Sequence, residues 1–303
     1  MNKLPLFTAT ALVLALALPA QAEQIFIDSF ESGDMSATSK DGFDWQRNNR
    51  TSVVTEEAVV YNNGEKYNPP KYGEDWSAFH GDHSLRFRYP AGEAMAEQRF
   101  RLGSSYPDIW FQYWVRVPTN YTHGSSNPSN HKLFALWMDD YSSKGLGPTI
   151  AWEFWGTGGG SSNLAFHYSE GGYEVLGGHK QYTDFISVPS DRGRWMELTI
   201  HIKASSSGSS SDGVIELWRR WESESPDDRE LLHRTREAVL PFPSGGPNGW
   251  AAGYFMGWAN AAYSQDTEWL IDHITISTES LLDTDGVSGS GNAPNPPVLQ
   301  ISE

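Results

Sequence analysis

Ionisable side chains occur at alternate positions in several short segments of this chain. Glu97, Arg99 and Arg101 follow one another at every second residue, and Glu153 and His167 lie in two later segments with the same alternation. The guanidinium fork of arginine matches a carboxylate, and a histidine beside a carboxylate can transfer protons near neutral pH. Arg99 is therefore a candidate for binding an acidic group, with a salt bridge to Glu97 as the alternative. Glu153 and His167 are a candidate proton-transfer pair, or a polar pair that binds hydroxyl groups.

Further candidates lie next to a polar loop. The run Asn130-His131-Lys132 begins a predicted strand directly after this loop, which makes His131 a candidate base and Lys132 a second catalytic candidate. Tyr182 and Tyr121 are predicted to lie in loops and are candidate proton donors. We assign the substrate contacts to Glu97, Arg101, Tyr121, Trp137, Asp139 and Trp155.

The elements that must position these residues are short strands separated by glycine, proline, asparagine, aspartate and serine clusters. Apolar and polar residues alternate with a period of two, which is typical of half-buried strands. The predicted strands are Gln24–Phe30, His83–Tyr89, Glu97–Leu102, Ile109–Val117, Lys132–Met138, Thr149–Trp155, Asn163–Tyr168, Trp195–Lys203, Val214–Trp221, Gly253–Trp258 and Glu268–Ser277. No amphipathic helix is predicted, so the fold class is an all-β antiparallel sandwich.

The two faces of the middle strands differ in character. Alternation predicts that one face is apolar and that the other combines small residues such as Ala135, Ala151 and Ala165 with single ionisable or aromatic groups. On this second face we also expect His131 and Leu133. Small residues beneath scattered functional groups indicate a concave sheet surface with room for a ligand chain.

Composition narrows the class of partner. The 303 residues carry 38 acidic against 22 basic groups, for a net charge of -16, which argues against nucleic acid because phosphate binding requires a basic surface. The 13 tryptophans suit either sugar-binding platforms or a tryptophan-rich β core. With no cysteine, the fold must be stabilised by core burial or by a metal ion.

The two ends of the chain differ from its middle. Residues 1–22 have a lysine, a short apolar run and Ala20-Gln21-Ala22, which are typical of a cleaved export signal. Residues 23–282 are predicted to form one domain, and residues 283–303 form a linker-like tail rich in serine, glycine and proline. We therefore expect a protein secreted to the periplasm or the exterior, monomeric and without a membrane partner after cleavage.

The strand layout and both terminal motifs resemble the concanavalin A-like jelly roll of lectins, glucanases and polysaccharide lyases. The opening Phe30-Glu31-Ser32-Gly33 and the closing Ile271-Asp272-His273-Ile274 are similar to paired terminal strands that a structural calcium often joins. The resemblance implies that Glu31, the Gly33 carbonyl and Asp272 are calcium ligands, and no organic cofactor is expected. The alternative is that Glu31 and Asp272 are ordinary turn acids.

Glu97-x-Arg99-x-Arg101 is similar to the arginine-bearing and glutamate-bearing strand in the cleft of jelly-roll alginate and glucuronan lyases. The resemblance implies β-elimination of a uronate-containing polysaccharide, with Arg99 neutralising the uronate carboxylate. The Gln-x-His motif of the alginate lyases is missing, which leaves the base and the acid open.

Two other function classes remain open. A glycoside hydrolase needs two carboxylates, which Glu153 with Asp139 or Glu97 would supply, although the Glu-x-Asp-x-x-Glu strand of jelly-roll glucanases is missing. A lectin-like module without chemistry would use Trp137, Trp155 and His167 as its sugar platform.

Overall fold

A computed structural model describes residues 24–35, 42–60, 66–67, 75–139, 147–169 and 182–283. These residues form seventeen β-strands and one short 3-10 turn at Pro226–Asp228. The all-β fold class is confirmed. In the described part of the chain, no helix is long and apolar enough to span a membrane.

The strands form two antiparallel sheets. The ten-stranded sheet runs in the order β15 (Glu230–Ala238), β14 (Gly213–Trp221), β13 (Trp195–Lys203), β8 (Asp108–Arg116), β17 (Thr267–Ser277), β6 (His83–Tyr89), β3 (Thr51–Thr55), β4 (Val59–Val60) and β5 (Lys66–Tyr67), with β1 (Gln24–Asp28) paired to β17. The seven-stranded sheet runs in the order β12 (Tyr182–Ile186), β11 (Ser161–Ser169), β10 (Thr149–Gly158), β9 (His131–Trp137), β16 (Trp250–Trp258), β7 (Met95–Tyr106) and β2 (Asp44–Asn49).

Aromatic rings from both sheets meet in the main core. Phe111 of β8 lies 5.0 Å from Phe134 of β9, and Tyr113 of β8 lies 5.0 Å from Phe255 of β16, measured between ring centroids. All four side chains are fully buried. The two sheets therefore pack face to face as a sandwich, which confirms the predicted architecture.

Most of the tryptophan side chains lie in hydrophobic cores. Ten of the thirteen tryptophans are buried: Trp76, Trp110, Trp114, Trp137, Trp152, Trp195, Trp218, Trp221, Trp250 and Trp269. A second cluster on the far side of the ten-stranded sheet stacks Phe79 on Trp114 at 3.7 Å and includes Trp76 and Trp195. Most of the indole rings thus serve packing, which was one of the two interpretations of the composition.

Strands missed by the sequence patterns lie mainly at sheet edges. β2 and β12 are the edges of the seven-stranded sheet, and β15 and β5 are the edges of the ten-stranded sheet. β2 reads Asp-Trp-Gln-Arg-Asn-Asn and β15 carries four charged residues in nine. An edge strand packs less of its surface against the core, so polar residues mask its alternation.

Candidate functional site

The candidate site is the outer face of the seven-stranded sheet, which points away from the main core. Ala135, Trp137, Ala151, Ala252 and Tyr254 pack together there as a cluster separate from the core between the sheets. They come from three adjacent strands, β16, β9 and β10. The pairing of small residues with aromatic residues on this face agrees with the sequence prediction for the middle strands.

Strand register places the predicted residues in neighbouring rows across this face. In the first row, Arg99 pairs with Tyr254, Tyr254 with Ala135, Ala135 with Ala151, and Ala151 with His167. Five strands thus contribute to one row. The structure therefore brings together residues that are up to 155 positions apart in sequence, from Arg99 to Tyr254.

A second row runs beside the first, one step along the strands. Glu153 pairs with Lys132 on one side and with Ala165 on the other, and Ala165 pairs with Tyr182. Glu97 stands at the β7 end of this row, two residues before Arg99. Arg101 lies on the other side of the first row, where it is exposed and pairs with Ala252.

Of His167 and Tyr182, the described structure includes only the backbone. Both lie at register positions in the two rows, but their side chains are outside the description. Tyr182 begins strand β12, whereas the sequence predicted a loop there. Their catalytic roles stay predictions.

A β-bulge in β9 corrects the predicted face of two residues, His131 and Leu133. Phe134 pairs with Trp152 but Lys132 pairs with Glu153, so Leu133 is the extra residue of the bulge. Leu133 is fully buried in the main core. Strict alternation had placed His131 and Leu133 on the outer face, and this is wrong, because the bulge shifts the phase and brings Lys132 there instead.

His131 and Tyr121 belong to the interior and not to the outer face. His131 is 1% exposed, with Nδ1 3.0 Å from the Tyr263 hydroxyl and Nε2 2.6 Å from the Ala261 carbonyl oxygen. Burial, with a smaller effect from His123, lowers the pKa of His131 to about 3. Tyr121 is fully buried, and its hydroxyl lies 2.9 Å from His123 Nδ1. Both side chains lie inside the sandwich and not on the outer face, which does not support the assignment of His131 as base or of Tyr121 as substrate contact.

Two buried carboxylates on the outer face each bind a cation. Arg99 Nε donates to Glu97 Oε1 at 2.5 Å, and Lys132 Nζ donates to Glu153 Oε1. Glu97 is 2% exposed and Glu153 is 1% exposed. Burial raises the pKa of Glu97, while the hydrogen bond and charge of Arg99 oppose the rise. The salt bridge that was the alternative for Arg99 is therefore present, and it fixes the guanidinium on this face.

The tryptophans predicted to bind substrate take different positions. Trp155 is half-buried, and its Nε1 donates to Glu153 Oε2 at 3.1 Å. Trp137 is 4% exposed and its ring centroid lies 5.8 Å from that of Tyr254. Asp139 lies two residues beyond the end of β9 and is half-buried. Trp155 is thus the more accessible of the two indole rings.

The centre of the outer face is not an open trough. Ala135, Ala151 and Tyr254 are at most 1% exposed. By contrast, the side chains of Arg99 and Lys132 are 17% and 14% exposed. The accessible groups of the site are therefore its cations and its margin, which corrects the expectation of an open surface along the middle strands.

Tyr254 is the central residue that sequence reasoning missed. It pairs with Arg99 on one side and Ala135 on the other. A Cβ atom at Gly257 would lie 3.0 Å from Lys132 Cβ and 3.3 Å from Tyr254 Cε2, so Lys132 and Tyr254 flank the same backbone atom. The available signal was the alternation within Gly253–Trp258, which had been predicted as a strand without assignment of its faces.

The predicted calcium ligands have another function. Glu31 Oε1 accepts the backbone N–H groups of Asp82 at 3.0 Å and His83 at 2.9 Å. Asp272 accepts those of Phe79 and His80, both at 2.9 Å, and that of His273 at 2.6 Å. Glu31 Oε1 and Asp272 Oδ2 each accept two N–H donors, which leaves neither of these two oxygens a lone pair for a cation.

Among the described residues, no further group near Glu31 and Asp272 completes a metal site. Gly33 adopts a φ of +78° and its N–H donates to the Phe30 carbonyl oxygen at 2.8 Å, which closes a turn. No group of three or more histidine, cysteine, aspartate or glutamate residues able to hold a metal ion exists among the described residues. Burial raises the pKa of Asp272 to about 7. The residues present do not fit calcium, and the alternative interpretation as turn acids agrees with the structure.

Similar solved structures include alginate lyases and lectins, although no family model and no curated protein matches the sequence. A mutant of alginate lyase Aly36B in complex with an alginate tetrasaccharide is 14% identical, with a TM-score of 0.44 over 64% of this chain and 80% of that chain. The alginate lyase vAL-1 from a Chlorella virus is 11% identical, with a TM-score of 0.43 over 67% and 88%.

The likeness to a domain bound to an oligosaccharide is of the same strength. The exoplasmic/lumenal domain of VIP36, in a form bound to Ca²⁺ and Man3GlcNAc, is 11% identical, with a TM-score of 0.45 over 86% of this chain and 91% of that chain. Alginate lyases and lectins are two of the kinds of jelly-roll protein that the sequence patterns resemble.

Proposed function

We propose that this protein is a secreted polysaccharide lyase that cleaves a uronate-containing polysaccharide by β-elimination. The observation that carries the proposal is the first row of the outer face, where Arg99 pairs with Tyr254, together with Lys132 on the other side of Tyr254. The reaction requires a cation to bind the uronate carboxylate, together with groups that can accept and donate a proton. A guanidinium, a phenol and an ammonium group on one sheet face are groups of these types.

Each group has a role in the balanced reaction. Arg99 binds the uronate carboxylate and stabilises the negative charge that develops at C5 when its proton is removed. The electron pair of the C5–H bond forms the C4–C5 double bond, and the C4–O bond breaks. The leaving oxygen takes up a proton. The candidates for these two proton transfers are Tyr254, Lys132 and, by its position in the first row, His167.

The carboxylates of the outer face argue against hydrolysis. A glycoside hydrolase needs one carboxyl group that donates a proton and another that acts as base or nucleophile. Glu97 and Glu153 are both buried, and each is bound to a cation. Carboxylates held in this way position Arg99 and Lys132 and are poorly placed to contact a sugar.

A carbohydrate-binding module without chemistry is the second candidate. The burial of Tyr254 and Ala135 favours it, because a reacting sugar must approach the first row closely. Trp155 at the margin of the face would then contribute binding alone.

Three readouts separate these functions. The chain from residue 23 onwards is incubated with alginate, glucuronan, pectin and a β-glucan. Ultraviolet absorbance of an unsaturated uronate identifies a lyase, and new reducing ends without that absorbance identify a hydrolase. Retention of the protein on a polysaccharide column without any product identifies a binding module. The proposal fails if no polysaccharide yields the unsaturated product.

The Arg99→Ala substitution tests the site within a lyase. We expect a loss of about 100-fold in kcat/KM, typical of removing a group that stabilises transition-state charge. Arg99→Lys should restore only part of it, because an ammonium group lacks the fork geometry. Arg236→Ala is the matched control, since Arg236 lies in the ten-stranded sheet with a 62% exposed side chain. Full activity of Arg99→Ala would show that the reaction occurs elsewhere.

A further inference from the structure

Trp258 differs from every other tryptophan of the chain. It is 51% exposed, whereas ten tryptophans are buried and the remaining two, Trp45 and Trp155, are half-buried. An indole ring this exposed gains little from core packing, so packing does not explain its presence at the end of β16.

Trp258 lies on the outer face, at one end of the candidate site. It pairs with Met95, which alternates in β7 with Glu97 and Arg99. The next residue, Ala259, is buried in the main core and bridges to the buried His131. Directly paired residues of neighbouring strands point to the same face, so the pairing with Met95 places Trp258 on the side of Arg99.

The distance from the reacting row exceeds one sugar ring. Trp258 follows Tyr254 by four residues in the same strand, which corresponds to about 13 Å along β16. A polysaccharide chain that reaches both positions must therefore place different sugar residues on them.

The indole ring is held in a fixed orientation by polar groups. Its Nε1 donates to Asn260 Oδ1 at 2.9 Å, and Asn260 Nδ2 donates to Asn130 Oδ1 at 2.8 Å. The Asn260 backbone N–H also donates to the Asn130 carbonyl oxygen at 3.0 Å. This chain of hydrogen bonds uses the edge of the indole and leaves the apolar ring face free of them, with the amide groups of Asn260 and Asn130 to one side. An aromatic face beside hydrogen-bonding groups is suited to stacking with a sugar ring, which is apolar on its face and polar at its edge.

We propose that Trp258, oriented by Asn260 and Asn130, is a stacking platform for a sugar residue of the same polysaccharide, outside the reacting row. The inference rests on the proposed function, because it requires a carbohydrate substrate on the outer face. It assigns Trp258 a role in affinity for long chains and none in the proton transfers.

Substrate length provides the test. The variants Trp258→Ala, Trp258→Phe and Asn260→Ala are compared with the wild type on the polymer and on the shortest oligosaccharide that is still cleaved. We expect Trp258→Ala to raise KM for the polymer by about twofold to tenfold, the range for loss of one aromatic contact, with kcat unchanged. For the shortest oligosaccharide we expect no change. Trp258→Phe should restore most of the affinity, and Asn260→Ala should show an intermediate loss.

Leu231→Ala is the matched control, because Leu231 is 38% exposed and lies in the ten-stranded sheet. Thermal unfolding of each variant checks that the fold is intact. An active wild type with an unchanged KM in Trp258→Ala overturns the platform and leaves the lyase standing. Retention of the wild type without cleavage overturns the lyase, and reduced retention of Trp258→Ala then supports the platform. A wild type that neither cleaves nor binds overturns both.

Discussion

At the scale of single residues, the main feature of the outer face is two ion pairs, each with a buried carboxylate and a largely buried cation. Lys132 and Glu153 form one pair, with side-chain exposures of 14% and 2%. Burial of a charge is costly unless a partner compensates it, so each member depends on the other. The pair therefore holds the Lys132 ammonium group on the outer face, and each member of the pair depends on the other for its stability.

Lys132→Met tests this dependence. The substitution leaves Glu153 as an uncompensated buried charge, and we expect the free energy of unfolding to fall by about 3 kcal/mol. The double variant with Glu153→Gln should recover part of the loss, because no charge is then buried. Urea denaturation measures both effects.

Arg50→Met is the control for removal of an ion pair. Arg50 and Glu93 are 36% and 54% exposed, and an exposed pair contributes about 0–1 kcal/mol. An equal, small loss in Lys132→Met and Arg50→Met would show that Glu153 is not as isolated from water as its burial indicates.

At the scale of elements, two deviations from regular strands decide where residues predicted to be functional point, one in the site and one in the ten-stranded sheet. The bulge at Leu133 turns Lys132 to the outer face and His131 to the interior. In β17, the register against β8 is interrupted between Asp272 and Thr275, and His273 has a φ of +48°. The second deviation directs Asp272 to the backbone amides of Phe79 and His80, which attaches residues 75–83 to the ten-stranded sheet.

The attachment of this segment predicts independence from calcium. Because Glu31 and Asp272 accept backbone N–H groups, neither added Ca²⁺ nor a chelator should change the melting temperature. Asp272→Ala leaves three N–H groups, one buried and two part-buried, without their acceptor, and we expect a loss of about 3 kcal/mol in the free energy of unfolding.

Calorimetry with and without chelator measures the first effect and urea denaturation the second. A rise of several degrees with Ca²⁺ in the wild type that Asp272→Ala abolishes would restore the calcium interpretation.

At the scale of the whole molecule, buried neutral histidines couple folding to pH. His131 and His123 stack at 4.2 Å between ring centroids inside the sandwich. Burial lowers the pKa of both, that of His131 to about 3, below the unfolded value of about 6.5. The unfolded chain therefore binds protons first as the pH falls. The stability that His131 contributes is complete above about pH 6.5 and is lost at lower pH.

His131→Gln isolates this contribution from the other titrating groups. Between about pH 7.5 and pH 5.5 the wild type should lose about 1.4 kcal/mol more of its unfolding free energy than the variant does. The comparison is needed because burial raises the pKa of Asp28 to about 6 and that of Asp272 to about 7, which favours folding at lower pH. Parallel pH profiles for wild type and variant in urea denaturation would contradict a neutral buried His131.

The sequence by itself determined the fold class and the strands that carry the site. Alternation with a period of two identified β7, β9, β10, β11 and β16, because each packs one face against the core. It also identified Arg99 and Glu153 as residues of one face, since no irregularity separates them from their neighbours on the same strand.

Only the tertiary structure decided which residues meet across strands. The sequence does not specify register, so Tyr254 could not be paired with Arg99. A bulge changes the phase of alternation without a change in composition, so His131 and Leu133 were assigned to the wrong face. Burial depends on the whole fold, which is why Tyr121 proved to be a core residue, and why Trp258 was recognised only in three dimensions as the exposed tryptophan.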